Sequence, residues 1–233
     1  MSTPSPRRNF LLASLATGGL AALGSRAFAD EPKRQLTADD VLADLMGGNK
    51  RFVAGKPENP RRSPADFRPL ANVQFPEAVI IGCADSRVSP EVLFDQGVGD
   101  LFVVRIAGNV VSHAGSTVKG SIEYAIAELN TPLVVVLGHS DCGAIKAAIK
   151  YTQGGEPPPG AIGELVDIIA PAVREAREGE GSEVDRVIKA NVRRGVATLK
   201  RLDPIVGPRV KESKVKVVGA VYDLATGKVE LIS

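Results

Sequence analysis

The 233 residues, 44% hydrophobic and 24% charged, suffice for one α/β domain with a sizeable core, and the composition excludes a chain disordered at large. The formal charge of +2 is carried by the first 29 residues: Arg7, Arg8 and Arg26 have no acids among them, and without them 26 basic residues face 27 acidic ones, a net of −1. So balanced a chain offers no electrostatic case for nucleic acid or an anionic membrane surface as a partner.

Residues 1–29 read as a removable export signal. Arg7-Arg8-Asn9-Phe10-Leu11 is a twin-arginine pattern, followed by a mildly apolar Gly- and Ala-rich run and a small-residue cleavage site at Ala27-Phe28-Ala29. The fifteen residues from Phe10 to Gly24 are too few to span a bilayer comfortably. Cleavage after Ala29 therefore leaves a mature protein free of the membrane, with a periplasmic destination, and residues 30–233 form a single domain.

That domain opens on an N-terminal helical arm over about 37–73. Thr37-Ala38-Asp39-Asp40 reads as a capping box, and Val41, Leu42, Leu45 and Met46 recur at helical spacing toward Val53. From Lys56 to Val73 the chain is rich in Pro and Arg without periodicity and reads as extended. Ala78 to Gly82 is a first strand. Ser89-Pro90-Glu91 starts a short helix to about Asp95, and Leu101 to Val104 is a second strand.

A helix opened by Ser116 carries Val118, Ile122, Ala125, Ile126 and Leu129 on one face, and the third strand runs through Val134-Val135-Val136. Helices over Asp141–Tyr151, Glu164–Glu178, with Pro171 as a kink point, and Glu183–Leu202 follow, their Lys and Arg forming a solvated face. Lys214–Tyr222 and Lys228–Ile232 pair as a hairpin around Ala225-Thr226-Gly227. The fold class is α/β: a mostly parallel central sheet with flanking helices and an antiparallel C-terminal edge strand. In such sheets sites form at the carboxyl ends of the strands, where Cys83, Arg105 and His139 fall.

Both cysteines stand at those ends. Cys83, Asp85 and Arg87 alternate, so an extended chain past Gly82 would send a thiol, a carboxylate and a guanidinium to one side. His139 and Cys142 are three apart where a strand gives way to a helix, with Ser140 or Asp141 as N-cap. Two Cys and one His form a soft three-ligand set that suits zinc and leaves a fourth position open, the mark of a catalytic ion. Two other readings stay open. A disulfide would not ask for His139, Asp85 and Arg87 at these spacings, and a closed structural zinc site would need a fourth ligand, for which only His113 is left.

On these motifs the chain resembles the β-class carbonic anhydrases. Cys83-Ala84-Asp85-Ser86-Arg87-Val88-Ser89-Pro90 fits the family's first signature. Glu123-Tyr124-Ala125-Ile126 through Leu129 and Val134-Val135-Val136 to Gly138-His139, Cys142 and Gly143 fits the second, and Arg105-Ile106-Ala107-Gly108-Asn109 matches an intervening element. The likeness runs from about Ala38 to the C-terminus.

The resemblance implies one Zn2+ per chain on Cys83, His139 and Cys142, and hydration of CO2 to bicarbonate and a proton by a zinc-bound hydroxide. Asp85, acceptor-only when ionised, would orient that hydroxide, and Arg87 would hold Asp85 through a bidentate pair. In a closed, inactive state Asp85 would instead become the fourth ligand. Gln74 matches a substrate-binding glutamine of open-site members. Phe102, Ala107 and Tyr124 match a small apolar pocket, and Gly108 and Asn109 shape the loop beside the metal. Arg105 matches the arginine of an inhibitory second bicarbonate site, but the tryptophan of that site is absent, since the chain has none. His113 is a conceivable proton shuttle. A homodimer or higher homo-oligomer is implied, with the N-terminal region packed across a partner. The alternatives are hydrolysis of carbonyl sulfide or carbon disulfide, and a non-catalytic zinc or thiol-redox protein.

Overall fold

A computed structural model describes residues 36–111 and 115–232; the expected export signal and His113 lie outside the described residues. The sheet is built where β-branched runs are longest. Ala78–Gly82 (β1) and Leu133–His139 (β3) are buried along their whole length, as strands covered on both faces must be. Leu101–Arg105 (β2) pairs with β1 and forms one edge, Lys216–Tyr222 (β4) pairs with β3, and Val229–Ile232 (β5) closes the other edge. The order is β2-β1-β3-β4-β5, parallel except for β5, which runs antiparallel to β4.

Alternate strand residues serve opposite faces. Val79, Ile81, Val134 and Val136 pack with Ile122, Ala125 and Ile126 of Gly115–Ala127 (α4), and with Val192 and Leu199 of Glu183–Leu199 (α7). Ala78, Ile80, Leu133 and Val135 pack on the other face with Val41 and Leu45 of Ala38–Val53 (α1) and with Leu93 at the end of Pro90–Leu93. The capping box of Thr37 and Asp40 starts α1 as its sequence predicts. The helix then lies on its own sheet, where Asn49 donates to the carbonyls of Leu93 and Gly227 and accepts from the N–H of Val229.

The stretch after α1 is less extended than its composition suggests. Ser63 and Asp66 form a second capping box, which opens a single helical turn over Pro64–Phe67 that continues as a 3-10 turn over Arg68–Leu70. The segment is tied down by Asp95, buried in a left-handed turn, whose carboxylate accepts from Arg51 and from the N–H groups of Glu58 and Asn59. Gly143–Thr152 (α5) and Ala161–Glu175 (α6) follow β3, and α6 continues through Pro171. A further short helix over Val206–Lys211, absent from the sequence expectation, precedes β4. The hairpin of β4 and β5 is formed as expected. Among the described residues no helix is long and apolar enough to cross a membrane.

A third apolar cluster caps the carboxyl ends of β1 and β3. It joins Cys83 and Cys142 to Ile145, Val166, Ile169, Val187 and Ile188, so α5, α6 and α7 wall that end of the sheet.

Candidate metal centre

The parallel register places the chemistry. Gly82 stands opposite Arg105 on one side and Leu137 on the other, so Cys83 is the first residue beyond β1, level with Gly138, and His139 ends β3 one step further. Gly138 is required by the close approach of α7: a Cβ there would sit 2.7 Å from Cγ2 of Val192. Cys142 occupies the N-cap position of α5, which corrects the expectation of Ser140 or Asp141. Ser140 Oγ is engaged with the N–H of Leu224, and Asp141 adopts a left-handed φ of 59° that turns the chain before the helix begins.

The structure brings Cys83, His139 and Cys142 together. Their candidate ligand atoms all lie within 4.8 Å of one another, and the residues are 4%, 0% and 1% exposed. His139 Nδ1 is 2.9 Å from the carbonyl oxygen of Ser140. A carbonyl can only accept, so Nδ1 carries the proton and Nε2 presents a lone pair. That Nε2 is buried without a hydrogen-bond partner. An acceptor left so beside two sulfurs is costly, and a cation among the three atoms removes the cost.

The thiols point the same way. The two thiols share a proton, which holds the Cys83 thiol well below its usual range; burial opposes this, while His139 and the N–H groups of Asp85 and Gly108 assist, the latter at 3.2 Å from Sγ. Cys142 is pushed up, first by that shared proton and then by burial, against the N–H groups at the start of α5. One thiolate forms readily here; a second beside it calls for positive charge. Two thiolates and a neutral imidazole balance a dication, which is the donor set of zinc.

Asp85 stands next to this cluster, its Oδ2 3.9 Å from His139 Nε2. Both carboxylate oxygens are engaged by Arg87, Oδ1 accepting from Nε at 2.9 Å and from the backbone N–H at 3.0 Å, and Oδ2 from Nη2 at 2.8 Å. The guanidinium holds the Asp85 carboxyl well below the usual carboxylate range, against partial burial. Arg87 is steadied by Asp141, 3.9 Å away, itself paired with Lys146. Arg105 was expected to match the arginine of a second anion site; its guanidinium instead donates to the backbone carbonyls of Cys83 and Asp85, clamping the turn that carries both side chains.

Ala107 and Gly108 lie in the short turn Ala107–Asn109 against the cluster. Phe102 and Tyr124 do not reach it within one chain. Phe102 pairs with Val79, four residues before Cys83, roughly 13 Å back along the sheet. Its ring lies 6.4 Å from that of Tyr124, which is 49% exposed. Gln74 precedes β1 altogether and is exposed. Positions borrowed from a family pattern carry no register, and the register sets Phe102 well back from the sulfurs.

The comparisons with known proteins fit this geometry. The sequence model of the carbonic anhydrase family matches residues 78–229, about two thirds of the chain, from the start of β1 to the start of β5. The chain belongs to the carbonic anhydrase family. Among its relatives, Carbonic anhydrase 2 of Mycobacterium tuberculosis is 44% identical over 187 residues, covering 80% of this chain and 89% of that one. The carbonic anhydrase of Mycolicibacterium smegmatis is 43% identical over 189 residues, covering 81% and 90%. The solved Coccomyxa β-carbonic anhydrase in complex with acetazolamide superposes with a TM-score of 0.64 at 28% identity, over 82% of this chain and 86% of that one. A tetrameric β-carbonic anhydrase of Sordaria macrospora gives 0.66 at 25% identity, over 83% and 98%. This carbonic anhydrase is thus of the β class, and its parallel sheet with an antiparallel edge strand is the fold of those structures.

One residue of the centre was not legible as such in the sequence, Asn191, which donates to the carbonyl of Gly108; Arg105 was placed at a strand end, but not its work on backbone carbonyls. The signal for Asn191 is an amide between Val187, Ile188 and Val192 on the apolar side of a helix.

Proposed function

We propose that the protein catalyses the reversible hydration of CO2 to bicarbonate and a proton, with one zinc ion per chain held by Cys83 Sγ, His139 Nε2 and Cys142 Sγ. The observation that carries this reading is an unpartnered imidazole nitrogen and two sulfurs within 4.8 Å, with a carboxylate oxygen 3.9 Å from that nitrogen. Zinc held by these residues would supply Lewis acidity, bringing the pKa of a water from about 15.7 down to about 7 and so making a nucleophile available at neutral pH.

Asp85 Oδ2 accepts a hydrogen bond from the attacking water and aims its lone pair at the carbon of CO2. Arg87 keeps that carboxylate ionised and in place, and Arg105 fixes the backbone beneath both. Turning Asp85 into a fourth ligand would break its bidentate pair with Arg87, so the arrangement favours the open site. Hydration adds one oxygen to the carbon and releases one proton to solvent. The two thiols, 4% and 1% exposed, are poorly placed for exchange with outside disulfides, which counts against a redox role.

Stopped-flow CO2 hydration tests the reading. Activity should climb with added zinc to one equivalent per chain, be absent from stripped protein, and rise with pH through about 7, since the reactive form is the deprotonated one. Folded, zinc-loaded protein no faster than buffer with CO2, but active on carbonyl sulfide, would overturn it.

The proposal extends to assembly and location. Phe102 and Tyr124 lie together at the β2 edge, beyond reach of their own cluster, so a substrate-binding role for them requires a second copy seated on that edge. Export rests on the twin-arginine pattern at Arg7-Arg8. Sequencing the N-terminus of the periplasmic form should begin at Asp30; an intact Met1 retained in the cytoplasm would contradict export.

A further inference from the structure

Asn191 lies midway along α7 and is 8% exposed. An amide buried on the apolar face of a helix is costly unless its hydrogen bonds are made. Asn191 Nδ2 meets that demand by donating to the carbonyl oxygen of Gly108 at 2.8 Å, across 83 positions of sequence.

Gly108 is the residue whose N–H donates to Cys83 Sγ at 3.2 Å. It sits at φ 70°, ψ 14°, a left-handed conformation, and a Cβ on it would be 2.9 Å from Cδ1 of Ile169 and 3.2 Å from Cβ of Ala144. The turn is closed by the N–H of Asn109 donating to Ile106. One side of Gly108 therefore faces the sulfur and the other is held by Asn191. Without that amide the buried carbonyl would have to find another donor; the carbonyl and the N–H lie on successive peptide planes joined at the Gly108 Cα, so a shift of the tight turn to find one would carry the N–H off Cys83.

We infer that Asn191 is a positioning residue of the metal centre, which fixes Gly108 so that its N–H hydrogen-bonds the Cys83 thiolate and tempers the charge that sulfur gives to the ion. The inference rests on the zinc reading above. Hydrogen bonds to a thiolate are charge-assisted, and losing an outer partner of a metal ligand typically costs about 10–100-fold in metal affinity.

The test compares wild type with Asn191→Leu, Asn191→Ser and Asn191→Gln, each loaded with Co2+ for the near-ultraviolet cobalt–thiolate band and with Zn2+ for chelator competition. Leu and Ser should move the band to lower energy and weaken zinc by about 10-fold or more; Gln, which keeps a donor, should recover part of both. Leu199→Ala, about 12 Å along the same helix, is the control: it should lower the melting temperature and leave band and affinity unchanged. If the Leu variant does not fold, Ser carries the comparison. Variants whose band and affinity match wild type, or a Leu199→Ala effect of equal size, would overturn the inference. A wild type with no thiolate band would instead remove the zinc reading, and the inference with it.

Discussion

Replacing Cys83 by serine should empty the metal centre and cut CO2 hydration by more than about 100-fold, since loss of even an outer partner of a ligand can cost that much. Cys83 is one of the three proposed donors, and the hydroxyl of serine stays protonated at neutral pH where the thiol here is held well below its usual range. The charge balance of two thiolates and one imidazole around a dication fails once one sulfur is gone. Serine is close to cysteine in volume, so the strand end should keep its packing and the far-ultraviolet spectrum its shape. Zinc analysis on the purified variant reads the effect directly. A variant that kept one zinc per chain and wild-type turnover would show that Cys83 is not a ligand.

Asp85→Asn should leave zinc in place and lower kcat/KM by about 100-fold or more, the scale on which a positioned proton acceptor contributes. Asparagine keeps the outline of the side chain but presents an amide N–H₂ where the reaction needs an acceptor, and it gives up half of the bidentate pair with Arg87. Arg87→Gln separates charge from placement. Its loss lets the Asp85 carboxyl return upward toward the ordinary carboxylate range, so activity should weaken from the acid side while the limb near pH 7 stays where it was. The sign for stability is that of any depressed carboxylate. The ion pair stabilises the fold above the unfolded Asp value of about 3.9 and loses that contribution as pH falls through the lower folded value. A pH-rate profile and an acid titration of the two variants separate these effects.

The sheet was legible because its central strands are continuous apolar runs, Val79 to Ile81 and Leu133 to Leu137, which burial on both faces demands. The Cys-His-Cys cluster was legible for a related reason. Strand ends in a parallel sheet collect chemistry, and Cys83, His139 and Cys142 are the polar breaks in two such runs. Helix starts marked by a cap were found, as at Thr37, while the turn at Ser63 was hidden in a stretch dominated by Pro and Arg.

What sequence could not supply was register and reach. Nothing in the chain order says that Phe102 pairs with Val79 rather than lying beside Cys83, or that Arg105 spends its guanidinium on carbonyls. Nor could it say that Asn191, far along the chain, comes to rest on Gly108. Each depends on the parallel crossovers bringing remote segments side by side, and on backbone groups that have no letter in the sequence.

Zinc K-edge X-ray absorption on the purified full chain puts the central claim to its most direct test. The expected shell is two sulfurs at about 2.3 Å and one nitrogen at about 2.0–2.1 Å, with a single oxygen completing four-coordination. A shell without sulfur, or a protein that holds no zinc and shows Cys83 bonded to Cys142, would contradict the account.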